Sequence, residues 1–378
     1  MGTSVVQVDN WYARYDNGIG ILAYDSFCGL VYAIAEKNDS FRNLLDLNNN
    51  KLKIQLKKII SNYLPSDTQL LPDTSSWPGS PQEKLIRPLI INWLITQKCT
   101  YRCLYCYATD VINNPKYSYA EFSRKEIAHN IIKQNPLAVV ISGGEPFSLQ
   151  KIDESIQYLA GKTGIIIDTN GVYKDEIIKV LPLLKKYNIH VRVSLDTLRV
   201  KKVYKTRPPI VNGQSEADNL QCIFESLTAL ISNNIHLTIQ TVVTKKNAND
   251  LKEMGDKLWK MKVRSWRLLD LQDNPNNEKY KTLLMFDGNA EHIYKRKGFH
   301  FNKLLSFSQK DWTGMQLVRT PATGDRNNVV LVLPDGKFYT QGKNRTGKIL
   351  IDQNSPYLPS ENAYSTFSWG DHFERYIH

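Results

Sequence analysis

Ile90-Ile91-Asn92-Trp93-Leu94-Ile95-Thr96-Gln97-Lys98-Cys99-Thr100-Tyr101-Arg102-Cys103-Leu104-Tyr105-Cys106 joins an apolar run of strand length to three cysteines spaced C-x3-C-x2-C. Thiols so close in sequence are better placed to converge on one inorganic centre than to share a packed core. Iron–sulfur clusters take thiolate ligands, and an electron-carrying [4Fe–4S] cluster takes four. Three from the protein leave one iron open to a substrate or cofactor, which gives the loop a catalytic character. Two other readings stay open on the motif alone: a structural zinc site lacking its fourth ligand, and a chance cluster. Zinc sites match one C-x2-C pair with another or with histidines, but the nearest histidine here is His129 and there is no second pair.

Downstream, apolar runs alternate with helical patterns. A helix over 120–134 leads to Leu137–Ser142, then Gly143-Gly144-Glu145-Pro146. Helix 148–161 leads to Gly164–Thr169, then Asn170-Gly171, and helix 173–187 leads to His190–Asp196. Helix 216–233 precedes Ile235–Val243, and helix 249–261 precedes Ser265–Leu271. Six βα units predict an α/β fold, with a parallel sheet closing towards a partial (β/α)6 barrel of TIM type. Chemistry in such barrels sits at the C-terminal strand ends. There lie the cysteines, Gly143-Gly144-Glu145-Pro146, Thr169 and Ser194-Leu195-Asp196. Singly these are ordinary: a βα turn, strand-end hydroxyls and a helix N-cap at Asp196. Their order behind the cysteine loop makes them a set.

Over residues 88–272 this pattern resembles the radical S-adenosylmethionine (SAM) superfamily, on the C-x3-C-x2-C loop, the Gly-Gly-Glu-Pro motif and the ordered strand-end residues. The resemblance implies a [4Fe–4S] cluster on Cys99, Cys103 and Cys106, with the open iron chelated by the methionyl group of SAM. It places Tyr105 along the adenine, and Gly143 and Gly144 against the methionyl amine, where a missing β-carbon permits close approach. Glu145 would support that loop. Thr169 and Ser194 would face the ribose and carboxylate, with Asp196 close by. The reduced cluster would cleave SAM to a 5′-deoxyadenosyl radical that removes hydrogen from an unactivated C–H. An external one-electron reductant, such as flavodoxin or ferredoxin, is implied.

Residues 1–64 read as a small α+β module. Asn17-Gly18 signals a hairpin between strand-like runs. Helices are expected from a cap at Asp25-Ser26 (apolar stripe Phe27, Leu30, Val31, Ile34), from Ser40, and from Lys51 to Leu64. The layout resembles the winged-helix leader-recognition domains of peptide-modifying enzymes, and packing against the barrel is the plainer reading. Residues 65–88, with Pro65, Pro72, Pro78, Pro81 and Pro88, read as a linker. Residues 273–378 begin with a polar loop at Asp273–Asn277 and a partly helical Glu291–Phe307. They continue with a hairpin of 328–333 and 337–339 around Pro334-Asp335-Gly336. This resembles the start of a SPASM-type extension, but Thr340-Gln341-Gly342 stands where that extension carries a cysteine, and no cysteine follows Cys222. A second cysteine-ligated cluster is therefore not expected.

At 42% hydrophobic and 23% charged, the 378 residues describe a globular chain of two or three domains. No apolar run is long enough to span a membrane, and no signal peptide is readable. Free cysteines in a metal-type motif point to a cytoplasmic setting. The net charge of +12 reads mainly as solvated surface and argues weakly for nucleic acid. Cys28 reads as a small buried hydrophobe. Cys222 would return hydrogen to a substrate radical if it faced the barrel, but an outer-helix cysteine points away. The expectation is a radical SAM enzyme acting on a ribosomally made precursor peptide, with its leader on residues 1–64. Side-chain crosslinking is favoured over Cα epimerisation. Arg207, Asp270 and Gln272 are candidate substrate contacts, each also readable as a rim residue. The alternatives are a radical SAM enzyme of small metabolites or nucleotides, and a non-enzymatic Fe–S or nucleic-acid-binding regulator.

Overall fold

In the computed structural model, the described residues are 2–17, 19–35, 41–63, 87–106, 108–109, 111–112, 122–200, 206–209, 216–271, 301–320 and 330–340. The first sheet is an antiparallel meander of β1 (Val6–Val8), β2 (Trp11–Asp16), β3 (Gly20–Asp25) and β4 (Leu30–Ala35), in that order. The expected hairpin is present, with Trp11 opposite Asp25 and Asp16 opposite Gly20. The helix expected from Asp25 is not: Leu30, Val31 and Ile34 lie in β4, paired with β3. Asp25 caps only a turn, accepting from Phe27 N at 2.8 Å. The short helix expected from Ser40 is a 3-10 turn (Arg42–Asp46), and the helix expected from Lys51 is present as α1 (Asn49–Tyr63).

The second sheet is built by β5 (Ile90–Thr96), α2 (Arg124–Lys133), β6 (Ala138–Gly143), α3 (Ile152–Leu159), β7 (Gly164–Thr169), α4 (Lys174–Lys186) and β8 (His190–Ser194). It continues through α5 (Glu216–Ser232), β9 (Leu237–Val243), α6 (Leu251–Lys260), β10 (Ser265–Asp270), α7 (Phe301–Lys310) and β11 (Gln316–Thr320). A hairpin of β12 (Val330–Val332) and β13 (Phe338–Thr340) completes it. The order is β11-β10-β9-β8-β7-β6-β5-β12-β13, and every neighbouring pair is parallel except β12–β13. The parallel α/β expectation holds. Among the described residues the sheet is open, with edges at β11 and β13. The expected hairpin extends this sheet by laying β12 along β5.

Strand register sorts side chains into two faces, because paired residues of a parallel sheet point the same way. Ile141, Ile167, Val191 and Leu237 share the face buried in the main core with Ile131, Leu159, Leu184, Leu230 and Leu258 of the helices. Asp168, Arg192 and Thr238 share the opposite face, as do Ser194, Gln240 and Arg267.

The meander closes the N-terminal end of the parallel sheet. One of its faces, with Ala13, Tyr15, Ile21 and Ala23, packs on Leu52, Leu56 and Ile60 of α1. The other, with Tyr12, Leu22, Tyr24 and Val31, belongs to the main core. Every cross-contact falls where a strand begins. Tyr12 OH donates to Tyr187 O, His190 Nδ1 lies 3.0 Å from Ser26 O, and Phe27 meets His236 edge-on. Burial pushes His190 down to about 3, so it is neutral there.

A buried ionic cluster fixes this contact. Arg14 Nε donates to Asp16 Oδ2 at 3.0 Å, and its other nitrogens reach the carbonyls of Pro88, Arg87 and Asn135. Arg87 pairs with the second oxygen of Asp16 and donates to Thr3 O. Asn135 accepts from Val5 N and donates to Thr3 O. A buried guanidinium is tolerated only when its donors are met, and these acceptors come from both sides of the contact.

Candidate active site

The cysteine loop leaves β5 and is strapped by residues 206–209. Arg102 N donates to Pro208 O at 2.8 Å, Leu104 N donates to Thr206 O at 2.9 Å, and Tyr101 bridges to Pro209. These backbone pairs fix the loop without using the thiols. Cys99, Cys103 and Cys106 are all half-buried, and none is in a disulfide. Burial pushes Cys99 and Cys106 up to about 12, and raises Cys103. Cys103 raises both of its neighbours further, so the three sulfurs sense one another. Alone they stay protonated. A metal centre supplies the positive charge that ionises such thiols.

The glycine loop after β6 is laid directly on the cysteine loop. Gly144 N donates to Thr96 O and Glu145 N to Lys98 O, each at 2.7 Å. Gly143 has φ +124°, and a β-carbon there would strike Thr96 O. A β-carbon on Gly144 would collide with Lys98 O. Glycine is required here by contact between two backbones.

Glu145 ties this loop to β7. Its Oε1 accepts from Thr169 Oγ1 at 2.7 Å and Phe147 N at 3.1 Å, and its Oε2 accepts from Asn170 N at 2.6 Å. Burial raises it from 4.5 to about 7, against those hydrogen bonds. Thr169, expected to face SAM, is buried. Its hydroxyl is taken up by Glu145, and it also accepts from Gly171 N at 3.0 Å. Asn170 Nδ2, by contrast, is a buried donor with no protein partner among the described residues.

Asp196 is the second junction. Its Oδ1 accepts from Val242 N at 2.9 Å, and its Oδ2 accepts the Tyr105 hydroxyl. Tyr105 thus brings the cysteine loop to the end of β8, with its ring against Leu104, Val242 and Leu271. Asn247 Nδ2 donates to both Asp196 O and Val242 O at 2.8 Å, locking the strand end. Arg207, expected at a substrate rim, is buried instead. It lies 3.7 Å from Asp196 Oδ2 and donates to Ser194 O at 3.0 Å. The strap pulls it beneath the cysteine loop, where Asp196 compensates its charge.

Of the remaining candidates, Asp270 ends β10 with its side chain outside the described residues, and Gln272 lies wholly outside them. So do the polar loop at Asp273–Asn277 and positions 341–342. Cys222 sits on α5 beside Lys174, Asp175, Asp218 and Glu225 of the outer layer. Cys28 is buried in the meander, donating to Asp25 Oδ2 at 3.2 Å.

Sequence reasoning missed the polar face of the sheet. Arg192 clamps Asp168 in a bidentate pair at 2.5 and 2.7 Å, one register step from Thr238. Gln240 and Arg267 lie beside Ser194 nearer the cysteines. The available signal was a polar residue at every second position inside otherwise apolar strands.

The donor set fits an iron–sulfur cluster. Among the described residues, no three His, Cys, Asp or Glu side chains gather tightly enough for a single metal ion. A cubane holds each thiolate at a separate corner and so suits three neighbouring but separate thiols. Gln97 Oε1 and Thr100 Oγ1, beside Cys99, are buried without a protein partner among the described residues. That surrounding is polar, as a charged group requires.

Residues 93–258 match the Radical SAM superfamily. The S-adenosylmethionine-dependent nucleotide dehydratase of Fibrobacter sp. (strain UWH6) is 25% identical over 277 residues, covering 68% of this chain and 79% of that protein. SuiB from Streptococcus suis superposes with TM-score 0.65 at 14% identity, over 96% of this chain and 88% of SuiB. SuiB bound to precursor peptide SuiA superposes with TM-score 0.64 at 15% identity, over 97% of this chain and 88% of that one. At these identities the SuiB likeness is one of fold.

Proposed function

From the premise that this chain is a radical SAM enzyme, carrying the radical SAM domain at residues 93–258, we propose that it modifies a ribosomally made precursor peptide. The [4Fe–4S] cluster and SAM, when bound, supply a carbon radical that removes hydrogen from an unactivated C–H. Cys99, Cys103 and Cys106 are the proposed cluster ligands. Gly143 and Gly144 admit the methionyl group, Asn170 offers a donor, and Tyr105 and Asp196 border the nucleoside. Glu145 and Thr169 hold these groups in place, since their polar atoms already bind one another. The polar strand face with Asp168, Arg192, Gln240 and Arg267 orients the substrate and keeps it beside the radical carbon.

The observation that carries the peptide reading is the extent of the fold likeness. It runs over 96% of the chain, N-terminal meander and C-terminal hairpin included, and the same neighbour has been solved with a precursor peptide. The leader would lie on residues 1–64, the four-stranded meander and α1. The meander is at the opposite end of the strands from the cysteines. A peptide held there must run the length of a strand, roughly 20 Å or at least six extended residues, to reach the mouth.

The test is co-expression with a small open reading frame encoded beside this gene, followed by mass spectrometry of the peptide. Loss of hydrogen mass without solvent deuterium supports crosslinking, and uptake of solvent deuterium at constant composition supports epimerisation. An unchanged peptide from protein that cleaves SAM would defeat the peptide reading. The second reading, a small nucleotide or metabolite, is favoured by the nucleotide dehydratase likeness over 68% of the chain. It predicts SAM cleavage stimulated by a nucleotide and indifferent to peptide.

A further inference from the structure

Arg207 reaches four parts of the site from one buried position. Its Nη1 donates to Ser194 O at 3.0 Å, and its Nε lies 3.7 Å from Asp196 Oδ2. Its guanidinium stacks on the Tyr101 ring at 5.2 Å, and residue 207 stands opposite Cys103 where Arg102 N meets Pro208 O and Leu104 N meets Thr206 O. The residues on either side of it are the strap that receives the backbone of Arg102 and Leu104. Cys103 is therefore held from one segment twice, by flanking peptide groups and by a cation on the residue paired with it.

We propose that Arg207 is a positioning residue of the cluster site, holding Cys103 towards its metal and raising the cluster's reduction potential. The inference rests on Cys99, Cys103 and Cys106 being the cluster ligands. A cluster on three thiolates is anionic, and reduction adds another negative charge inside a buried pocket. Hydrogen bonds to ligand sulfur and nearby charge are the protein's means of setting such potentials. A fixed guanidinium at Cys103 favours the reduced form, and Asp196 on the far side of that guanidinium opposes it. The fork geometry matters, since an ammonium cannot reach Ser194 O and Asp196 while stacking flat on the Tyr101 ring.

The experiment compares anaerobically reconstituted wild-type protein with Arg207→Met, Arg207→Lys and Asp196→Asn. Iron content and EPR-monitored redox titration are the readouts. Arg207→Met is expected to shift the reduced-to-oxidised ratio at fixed poise at least tenfold towards the oxidised form, about 59 mV for one electron. Asp196→Asn is expected to shift it the other way, and Arg207→Lys to fall between Arg207→Met and wild type. General loosening would move Arg207→Met and Asp196→Asn in the same direction, so opposite signs identify the electrostatic role. Unchanged potentials, or shifts of one sign, overturn the inference. If Arg207→Met fails to fold, Asp196→Asn decides alone: a shift towards the reduced form sustains the inference and no shift ends it. A wild type that takes up no cluster would instead refute the ligand assignment.

Discussion

Glu145 Oε1 accepts the Thr169 hydroxyl at 2.7 Å while its Oε2 accepts Asn170 N at 2.6 Å, joining the ends of β6 and β7 through one buried carboxyl group. Burial lifts this group from 4.5 to about 7. In that interval the folded protein keeps a proton that the unfolded chain releases, so stability falls as pH rises from about 4.5 to about 7. The loss amounts to roughly 3 kcal/mol if fully expressed. Glu145→Gln removes this dependence, and its amide sets a donor against existing donors, costing about 1–3 kcal/mol. Thermal unfolding at pH 5 and pH 7.5 checks both effects. The wild type should fall across the interval while the variant changes less.

The contact between the meander and the parallel sheet makes a separate prediction. Arg14→Met orphans the carbonyls of Pro88 and Asn135 and leaves Asp16 with Arg87 alone. Breaking a buried pair costs about 3–5 kcal/mol, and the melting temperature should drop accordingly. Lys57→Ala is the control. Its pair with Asp9 is more than half exposed on both sides and should contribute nothing measurable. Equal melting temperatures for Arg14→Met and wild type would refute the account.

The contrast between those regions explains what the sequence made legible. Strands such as 137–142 and 164–169 are buried on a helix-covered sheet, and they read as apolar runs bounded by turns. The motif order then follows from βα alternation. β4 was misread because its sheet is covered on both faces, by α1 and by the main core. No two-residue alternation survives there, and Phe27, Leu30, Val31 and Ile34 fit helical spacing by accident. Arg207 was placed at a rim because nothing local shows that the 206–209 strap folds back under the cysteine loop. Long-range backbone pairs such as Arg102 to Pro208 leave no periodic trace.

Gly144→Ala tests the seat of the glycine loop. Its new β-carbon would meet Lys98 O, a backbone atom that moves only if the cysteine loop moves with it. The two hydrogen bonds from Gly144 N and Glu145 N to that loop would lengthen together. Iron content after reconstitution should fall sharply while circular dichroism stays near wild type, since the parallel sheet lies below the change. Full iron loading in Gly144→Ala would show that the loops are not coupled.

Tyr105 separates two contributions that share one side chain. Its hydroxyl binds Asp196, and its ring packs with Leu104, Val242 and Leu271. Tyr105→Phe removes only the hydroxyl, leaving Asp196 with Val242 N and Arg207. One hydrogen bond to a charged carboxylate lost is about 1.5–3 kcal/mol, at least roughly tenfold if expressed in SAM affinity. The rate of 5′-deoxyadenosine formation against SAM concentration should show KM rising by about that factor with kcat nearly kept. Tyr105→Ala removes the ring as well and should weaken SAM further, because an apolar wall is lost from the place proposed for the nucleoside. If Tyr105→Ala and Tyr105→Phe raise KM equally, the ring makes no contact with SAM and the Asp196 bond is the whole of its role.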